Sequence, residues 1–324
     1  MNQRIKYNIF YSFILNSYYE KYGFLFFISS FLYKNKFQMK DKIIHFHIIK
    51  LFFVILINNF SIIVYLKKIN KNDKISIIIP TYNRENLILR SLESILKQTY
   101  TNIEVIIIDD CSKDNTKNII KNLNDNRIRY KRLKKKKGAN FARNFGIKIS
   151  TGKYISFQDS DDLYHLNKLE KQYNNLIKHK SDFDFCKICV NLVNKSKYIF
   201  PNNNQEKNII RKKIVYELCN GNFISTQSIL VKKAKIEKYL FDTRFPRLQD
   251  YDLVLRMLPN IKISYTKKVL VDLFRQNDSI SNSSQKYREA MRLLFKKNYK
   301  VYCDNKTKYY NYFKKNKKLL NKKK

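Results

Sequence analysis

Beyond residue 74 the chain alternates between short, solidly apolar runs and stretches whose apolar residues recur every three or four positions. Residues 75–79 form a buried-strand run closed by Pro80-Thr81-Tyr82-Asn83, a turn signal. Over 86–96, Leu87, Leu89, Leu92, Ile95 and Leu96 fall at helical spacing, and 103–108 is a second buried strand that ends in Asp109-Asp110. Ser112 is placed to cap a helix over 113–123. Residues 127–133 suit an edge strand, 134–137 a solvated basic loop, 138–149 a helix and 154–157 a further strand. The pattern then predicts a helix over 166–177, a strand over 183–193, a polar loop over 202–208 and a strand over 223–231. It continues with a short helix near 233–239, an amphipathic helix opening at Gln249-Asp250-Tyr251-Asp252, a strand over 269–274 and a helix over 283–302. Alternating strands and helices predict an α/β domain with a largely parallel sheet.

Residues 1–70 have a different texture. They hold two apolar runs, 22–33 and 43–66, among basic residues. The first is too short to span a bilayer; the second is about long enough, but Lys50, Asn58 and Asn59 weaken it, and His45 and His47 do not help. Lys67, Lys68, Lys71 and Lys74 follow closely, and if the run spans they place the rest of the chain on the cytoplasmic side. A membrane anchor, an interfacial helix and an extension without function all remain open, and no signal-peptide cleavage pattern is visible. The tail over 296–324 is rich in Lys and Tyr.

Charge changes this picture less than its size suggests. The 324 residues carry 66 Lys and Arg against 26 Asp and Glu, a formal charge of +40. Such a balance fits an acidic partner such as nucleic acid, anionic lipid or a phosphorylated substrate. The chain is also saturated with Lys, Asn, Ile, Tyr and Phe and has no Trp. That bias is typical of AT-rich coding sequence and fills ordinary surface positions with Lys. Five cysteines without framework spacing favour a reducing compartment, and Cys186-x-x-Cys189 reads as core rather than half of a zinc site.

The chemistry collects at predicted strand ends. Asp159, Asp161 and Asp162 follow the strand over 154–157, and so much like charge is costly without a cation or ordered donors. Asp159 and Asp161 can converge on one ion, and such hard oxygen ligands suit Mg²⁺ or Mn²⁺. Pro80 to Asn83 and Asp109-Asp110 lie at two further strand ends, where open α/β sheets bind ligands. Asp250, at a helix start, is equally placed to be a cap.

Five motifs, taken together and in order, resemble the inverting family 2 glycosyltransferases of GT-A fold. They are Ile77-Ile78-Ile79-Pro80-Thr81-Tyr82-Asn83-Arg84, Gln98-Thr99-Tyr100, the run from Ile108 to Thr116, Gly138-Ala139-Asn140-Phe141-Ala142-Arg143-Asn144, and Asp159-Ser160-Asp161-Asp162. Leu248-Gln249-Asp250-Tyr251-Asp252 is similar to the family's acceptor-side motif. The resemblance implies a Rossmann-like three-layer sandwich with a mixed, mostly parallel central sheet over 74–295, a donor half at 74–180 and an acceptor half at 181–295. It implies that Pro80, Thr81, Tyr82, Arg84 and Asp110 hold the nucleotide of a nucleotide sugar, with Asp110 at the base edge and Tyr82 against the ring. By the same resemblance Arg143 and Asp159 line the donor pocket, Asp161 with Asp159 binds Mn²⁺ or Mg²⁺, and Asp250 is the general base on the acceptor hydroxyl. A UDP-sugar donor, a glycan or lipid-linked glycan acceptor, bacterial surface-polysaccharide synthesis and a cytoplasmic location at the inner face of the membrane are the expected setting. Two departures stand out: Cys111 where the family usually has Gly, and Asn277 where many relatives carry His. The absence of a Q-x-x-R-W motif argues against a processive synthase. A basic nucleic-acid binder is the competing class, but carboxylates at three strand ends would repel a phosphate backbone. An inactive GT-A scaffold is disfavoured because Asp110, Asp161 and Asp250 are all present.

Overall fold

The computed structural model describes residues 73–210, 214–275 and 284–304. The expectations for residues 1–70, for Asn277 and for the tail past residue 304 lie outside them. Four parallel strands, β1 (Ile75–Thr81), β2 (Ile103–Asp109), β3 (Ile128–Arg132) and β4 (Tyr154–Phe157), stand in the order β3-β2-β1-β4. They are joined through α1 (Ile88–Leu96), α2 (Thr116–Asn122) and α3 (Ala139–Ile149). Every residue of β1 and β2 is buried, which is why both read as continuous apolar runs rather than alternating ones.

The sheet continues beyond β4 with mixed direction. After β5 (Leu163–Tyr164) and α4 (Lys168–Lys178) come β6 (Phe183–Asn191) and β7 (Lys197–Phe200). Next are α5 (Asn203–Ile210), α6 (Ile214–Asn220), β8 (Ile229–Lys232), α7 (Lys233–Ile236) and α8 (Gln249–Met257). β9 (Ile263–Phe274), α9 (Ser284–Lys297) and α10 (Tyr299–Asp304) complete the described chain. β8 is antiparallel to both β4 and β6, β9 is parallel to β6, and β5 and β7 pair antiparallel with β9 and β6. Strands β1–β4, β6 and β9 therefore run one way and β5, β7 and β8 the other, the mixed, mostly parallel α/β sheet that was expected. Successive side chains split between its faces: Ile77 and Ile79 pack with Leu92, Ile95, Leu169 and Tyr173, whereas Ile78 packs with Phe157, Leu253 and Met257.

Several expected elements are corrected. The run predicted as one strand over 223–231 breaks at a 3-10 turn, Thr226–Ser228, and only β8 is extended. The polar loop over 202–208 is helix α5, which buries Ile209 as its anchor. Ser112 caps nothing: its hydroxyl oxygen accepts the Asn83 N–H (2.9 Å), and α2 starts at Thr116. The helix expected over 283–302 divides at Asn298, whose side chain turns in to Asp252 Oδ1 (3.2 Å). Packing continues past residue 295, since Tyr302 is buried in the core beneath α8. Cys186 is buried as expected, while Cys189 is partly exposed.

At the amino ends of the strands, away from the acidic strand ends, Glu104 holds the sheet together. Its carboxylate accepts the Ser76 hydroxyl (2.6 Å), the Thr151 N–H (2.6 Å) and hydroxyl (2.9 Å), the Gly152 N–H (3.1 Å) and an Arg129 guanidinium N–H (2.9 Å). Burial pushes its pKa up, but these donors outweigh burial and bring it down to about 2. A carboxylate depressed on folding contributes stability above its unfolded pKa and loses it as pH falls through the folded value. Glu104→Gln is therefore expected to cost about 2–3 kcal/mol at pH 7. The deficit should shrink between pH 4.5 and pH 2, which denaturant titrations at several pH values measure. A deficit independent of pH would show that the carboxylate charge is not what the cluster uses.

Candidate active site

The ends of β1 and β2 are tied into one wall. Asn83, in the left-handed region (φ 50°), donates its N–H to Ser112 Oγ and accepts the Lys113 N–H at Oδ1 (2.9 Å each). The Arg84 N–H donates to Thr116 Oγ1 (2.9 Å), the Glu85 N–H to Asp114 (3.0 Å) and the Asn115 N–H to Glu85 (2.8 Å). Asp109 is buried and structural: it accepts the Ser112 N–H (2.7 Å) and the Tyr130 hydroxyl. Cys111 follows at φ 69°, a conformation that a glycine adopts without strain, and this explains the family's usual residue there.

Asp110 turns the other way, toward the basic loop before α3. Its two carboxylate oxygens accept the N–H groups of Lys137 (2.6 Å) and Gly138 (2.7 Å). Each oxygen keeps a lone pair for a further donor. Thr81 is buried beside it, accepts the Asp110 N–H at its carbonyl (2.8 Å), and has no hydrogen-bond partner for its hydroxyl among the described residues. Lys136 Nζ sits 3.5 Å from the centre of the Tyr82 ring. One face of that ring thus carries a cation, and a base lying on Tyr82 must take the other face or displace the lysine.

The acidic stretch after β4 is held by donors from four segments. Asp159 Oδ1 accepts from Arg143 Nη2 on α3 (2.7 Å), and Asp159 Oδ2 accepts from Gln227 Nε2 (2.7 Å). Gln227 also donates to Asp162 Oδ2 (2.5 Å), and the Phe274 N–H reaches Asp162 Oδ1 (2.9 Å). Asp162 is buried, and burial together with Asp161 and Asp159 holds its carboxyl well above the usual range. From α1, Arg90 donates to the Asp161 carbonyl (2.8 Å) and Ser91 to the Asp159 carbonyl (3.1 Å), which fixes the turn itself. The Asp161 carboxylate remains about 20% exposed, 4.0 Å from the Arg84 guanidinium.

Both oxygens of Asp159 thus face protein donors, while Asp161 presents its carboxylate at the strand end. Among the described residues, no three His, Cys, Asp or Glu side chains converge to hold an ion. Asp159 and Asp161 both keep part of their side chains exposed at this strand end, and such carboxylates fit a hard cation that takes its other oxygens from a ligand and water.

Asp250 lies in the first turn of α8, which Leu248 enters in the left-handed region (φ 62°). Its Oδ1 accepts the Tyr251 N–H (2.8 Å) and Asn222 Nδ2 (3.2 Å). Burial and the charge of Asp159 raise its pKa, against the Tyr251 N–H and Arg143. Asn222 reaches Asp250 and Gln227, five residues on, reaches Asp159, so the start of α8 and the acidic stretch share one supporting segment. Asp252, two residues on, points into the core instead and is fully buried. It accepts from Arg256 Nε (2.9 Å), Lys297 Nζ (3.1 Å) and Asn298 Nδ2 (3.2 Å).

Sequence reasoning missed Gln227, Asn222 and Arg90. The only available signal for Gln227 was the polar string Ser225-Thr226-Gln227-Ser228 inside an otherwise apolar run.

Carboxylates gathered after β2 and β4 and in the first turn of α8, on a mixed α/β sheet, define a protein of the GT-A class. The glycosyl transferase family 2 model matches residues 76–240, and the chain belongs to that family. It is a glycosyltransferase. It is 33% identical over 222 residues to an Escherichia coli UDP-Glc:alpha-D-GlcNAc-diphosphoundecaprenol beta-1,3-glucosyltransferase, WfgD, covering 67% of this chain and 83% of that one. It is 34% identical over 243 residues to the poly(ribitol-phosphate) beta-N-acetylglucosaminyltransferase TarP of Staphylococcus aureus, covering 70% of this chain and 72% of the relative. In fold it matches the crystal structure of S. aureus TarS 1–349 in complex with UDP-GlcNAc. The TM-score is 0.58 and the identity 24%, over 69% of this chain and 66% of that one.

Proposed function

We propose that the protein moves one sugar from a nucleotide sugar, UDP-linked, to a hydroxyl of a glycan or lipid-linked glycan in bacterial surface-polysaccharide synthesis. The observation that carries this reading is that the segment over 222–228 donates to both Asp250 and Asp159, which joins the start of α8 to the acidic strand end. One relative named for UDP-Glc and a GlcNAc-diphosphoundecaprenol acceptor, and another named for a poly(ribitol-phosphate) acceptor, support the substrate classes. Asp110, with the Thr81 hydroxyl and Tyr82, takes the nucleoside, and Pro80 and Arg84 shape the turn beside it. Asp161, with Asp159 behind it, would hold a divalent ion, Mn²⁺ or Mg²⁺, which would supply charge neutralisation for the diphosphate leaving group.

Asp250 takes the proton of the acceptor hydroxyl as its oxygen bonds to the sugar's anomeric carbon, while the bond from that carbon to the nucleoside diphosphate breaks on the opposite face. Its raised pKa makes it a stronger base than an exposed carboxylate. The unit over 74–295, with α10 packed on it, carries this chemistry. The apolar runs of residues 1–70 would keep it at the inner face of the cell membrane, near a lipid-linked acceptor. The test is a donor screen that reads nucleoside diphosphate release with Mn²⁺ or Mg²⁺ present. The proposal expects release from a UDP-sugar that is stimulated by a glycosyl-diphospholipid acceptor. No release from any nucleotide sugar, with no metal-dependent UDP binding, would sink it.

A further inference from the structure

One segment of the acceptor half touches both ends of the proposed chemistry. Between α6 and β8, residues 222–228 carry two side-chain amides arranged alike. Asn222 Oδ1 accepts the Ile224 N–H (3.1 Å), which turns Nδ2 toward Asp250 Oδ1 (3.2 Å). Gln227 Oε1 accepts the Ser225 hydroxyl (2.9 Å), which turns Nε2 to Asp159 (2.7 Å) and Asp162 (2.5 Å). In each case a local bond occupies the amide oxygen, so the NH₂ group is what faces a carboxylate. The opposite orientation would set oxygen against oxygen. The segment is also firmly seated. Phe223, Ile224, Thr226 and Ser228 are buried, Ser228 Oγ donates to the Ser225 carbonyl (2.7 Å), and Gln172 donates to the Ser228 carbonyl (2.8 Å).

Resting on the glycosyl-transfer reading above, we infer that residues 222–228 form a bracket that fixes the base relative to the metal-binding carboxylates, with Asn222 and Gln227 as its two positioning residues. The choice of amides has a physical reason. A second Lys or Arg beside Arg143 would satisfy Asp159 and Asp162 but would cancel the negative charge that a divalent cation needs. An amide donates a hydrogen bond with no net charge. Gln227 therefore holds Asp159 and Asp162 in place and leaves Asp161 to the ion. Asn222, five residues earlier on the same segment, holds Asp250 at a set distance from it. A shift of about 1 Å between base and donor is enough to cost ~10²-fold in rate, so a common support for both is worth keeping rigid.

The experiment uses the full-length protein, calorimetry with UDP across a Mn²⁺ series, and UDP release with and without an alkyl-diphosphate-linked N-acetylglucosamine probe. Gln227→Met is expected to raise the Mn²⁺ concentration for half-maximal UDP binding by ~10-fold or more, the scale on which partners of a metal ligand act. UDP binding without metal should stay as in the wild type. Asn222→Ala should leave Mn²⁺-dependent UDP binding intact and lower kcat for transfer by ~10-fold, with little change in KM and with slow donor hydrolysis retained. Ser225→Ala, which frees the Gln227 oxygen without opening the core, should shift the Mn²⁺ requirement in the same direction by less; it decides the matter if Gln227→Met does not fold. Wild-type Mn²⁺ dependence in folded Gln227→Met or Ser225→Ala protein would overturn the inference. So would an Asn222→Ala variant that loses UDP binding together with transfer, because the two arms would not be separable. A wild-type protein that neither binds nor releases UDP is a different failure: it overturns the glycosyl-transfer reading and the bracket with it.

Discussion

Asp250→Asn is expected to lower sugar transfer by at least ~100-fold, the lower bound for removing a general base, while donor affinity and melting temperature stay close to wild type. The competing role for Asp250 is support of the helix start. Its Oδ1 does accept the Tyr251 N–H, but α8 is entered through Leu248, so Asp250 sits inside the first turn rather than at the cap position. Asn keeps an oxygen for that N–H, and Asn serves at helix starts about as well as Asp, where Ala costs ~0.5–2 kcal/mol. A role in helix support therefore predicts a nearly silent variant, and a role in proton transfer predicts a nearly dead one. Donor hydrolysis should persist, since it depends on the other side of the cleft. Asp252 supplies a contrast of a different kind. Asn there leaves Arg256 and Lys297 beside a neutral group in a buried cluster, and breaking such a pair costs several kcal/mol. The expectation for Asp252→Asn is thus a large fall in melting temperature with activity per folded molecule mostly kept. Transfer by Asp250→Asn above a tenth of wild type, well short of the loss that scale predicts, would remove the base assignment.

Asp250 and Asp252 also show what could and could not be read from the chain. Two residues turn a helix by about 200°, so one of the two must face the core, yet the spacing does not say which. The burial of Tyr251, Leu253 and Val254 around Asp252 decides it. The central strands were legible because β1 and β2 are buried on both faces and consist mostly of Ile and Val. The strand ends were legible for the opposite reason: Asp110, Asp159 and Asp161 stand abruptly after those apolar runs. The segment over 223–231 was misread because a short buried apolar run has no period that separates strand from 3-10 turn. That error concealed Gln227, whose partners lie 65 and 68 residues away along the chain. Helix α5 was hidden by its polar composition, although Ile209 is buried, and β5 is two residues long. What the pattern could not give was long-range pairing, and the support of the site is made of little else.

Asp161→Asn is expected to abolish Mn²⁺-dependent UDP binding and to leave the fold intact. Three carboxylates stand within four residues after β4, and Asp162 is held well above the usual carboxylate range by burial and by the charges of Asp161 and Asp159. Removing the Asp161 charge relieves that repulsion in the metal-free protein. The Asp161 carbonyl, which anchors the turn through Arg90, is untouched by the change. The melting temperature without metal should therefore hold or rise slightly. UDP affinity with Mn²⁺ should fall by at least ~100-fold, beyond the ~10–100-fold that partners of a ligand are worth. Residual binding through Asp110 should no longer respond to metal. Asp159→Asn separates the two carboxylates. It weakens the bond to Arg143 and so perturbs the cleft, but metal dependence should survive in it if Asp161 is the ligand. Calorimetry of both variants, with and without Mn²⁺, decides between them. A metal response retained in Asp161→Asn and lost in Asp159→Asn would transfer the ligand role to Asp159 and would mean that the Arg143 and Gln227 bonds yield when the ion binds.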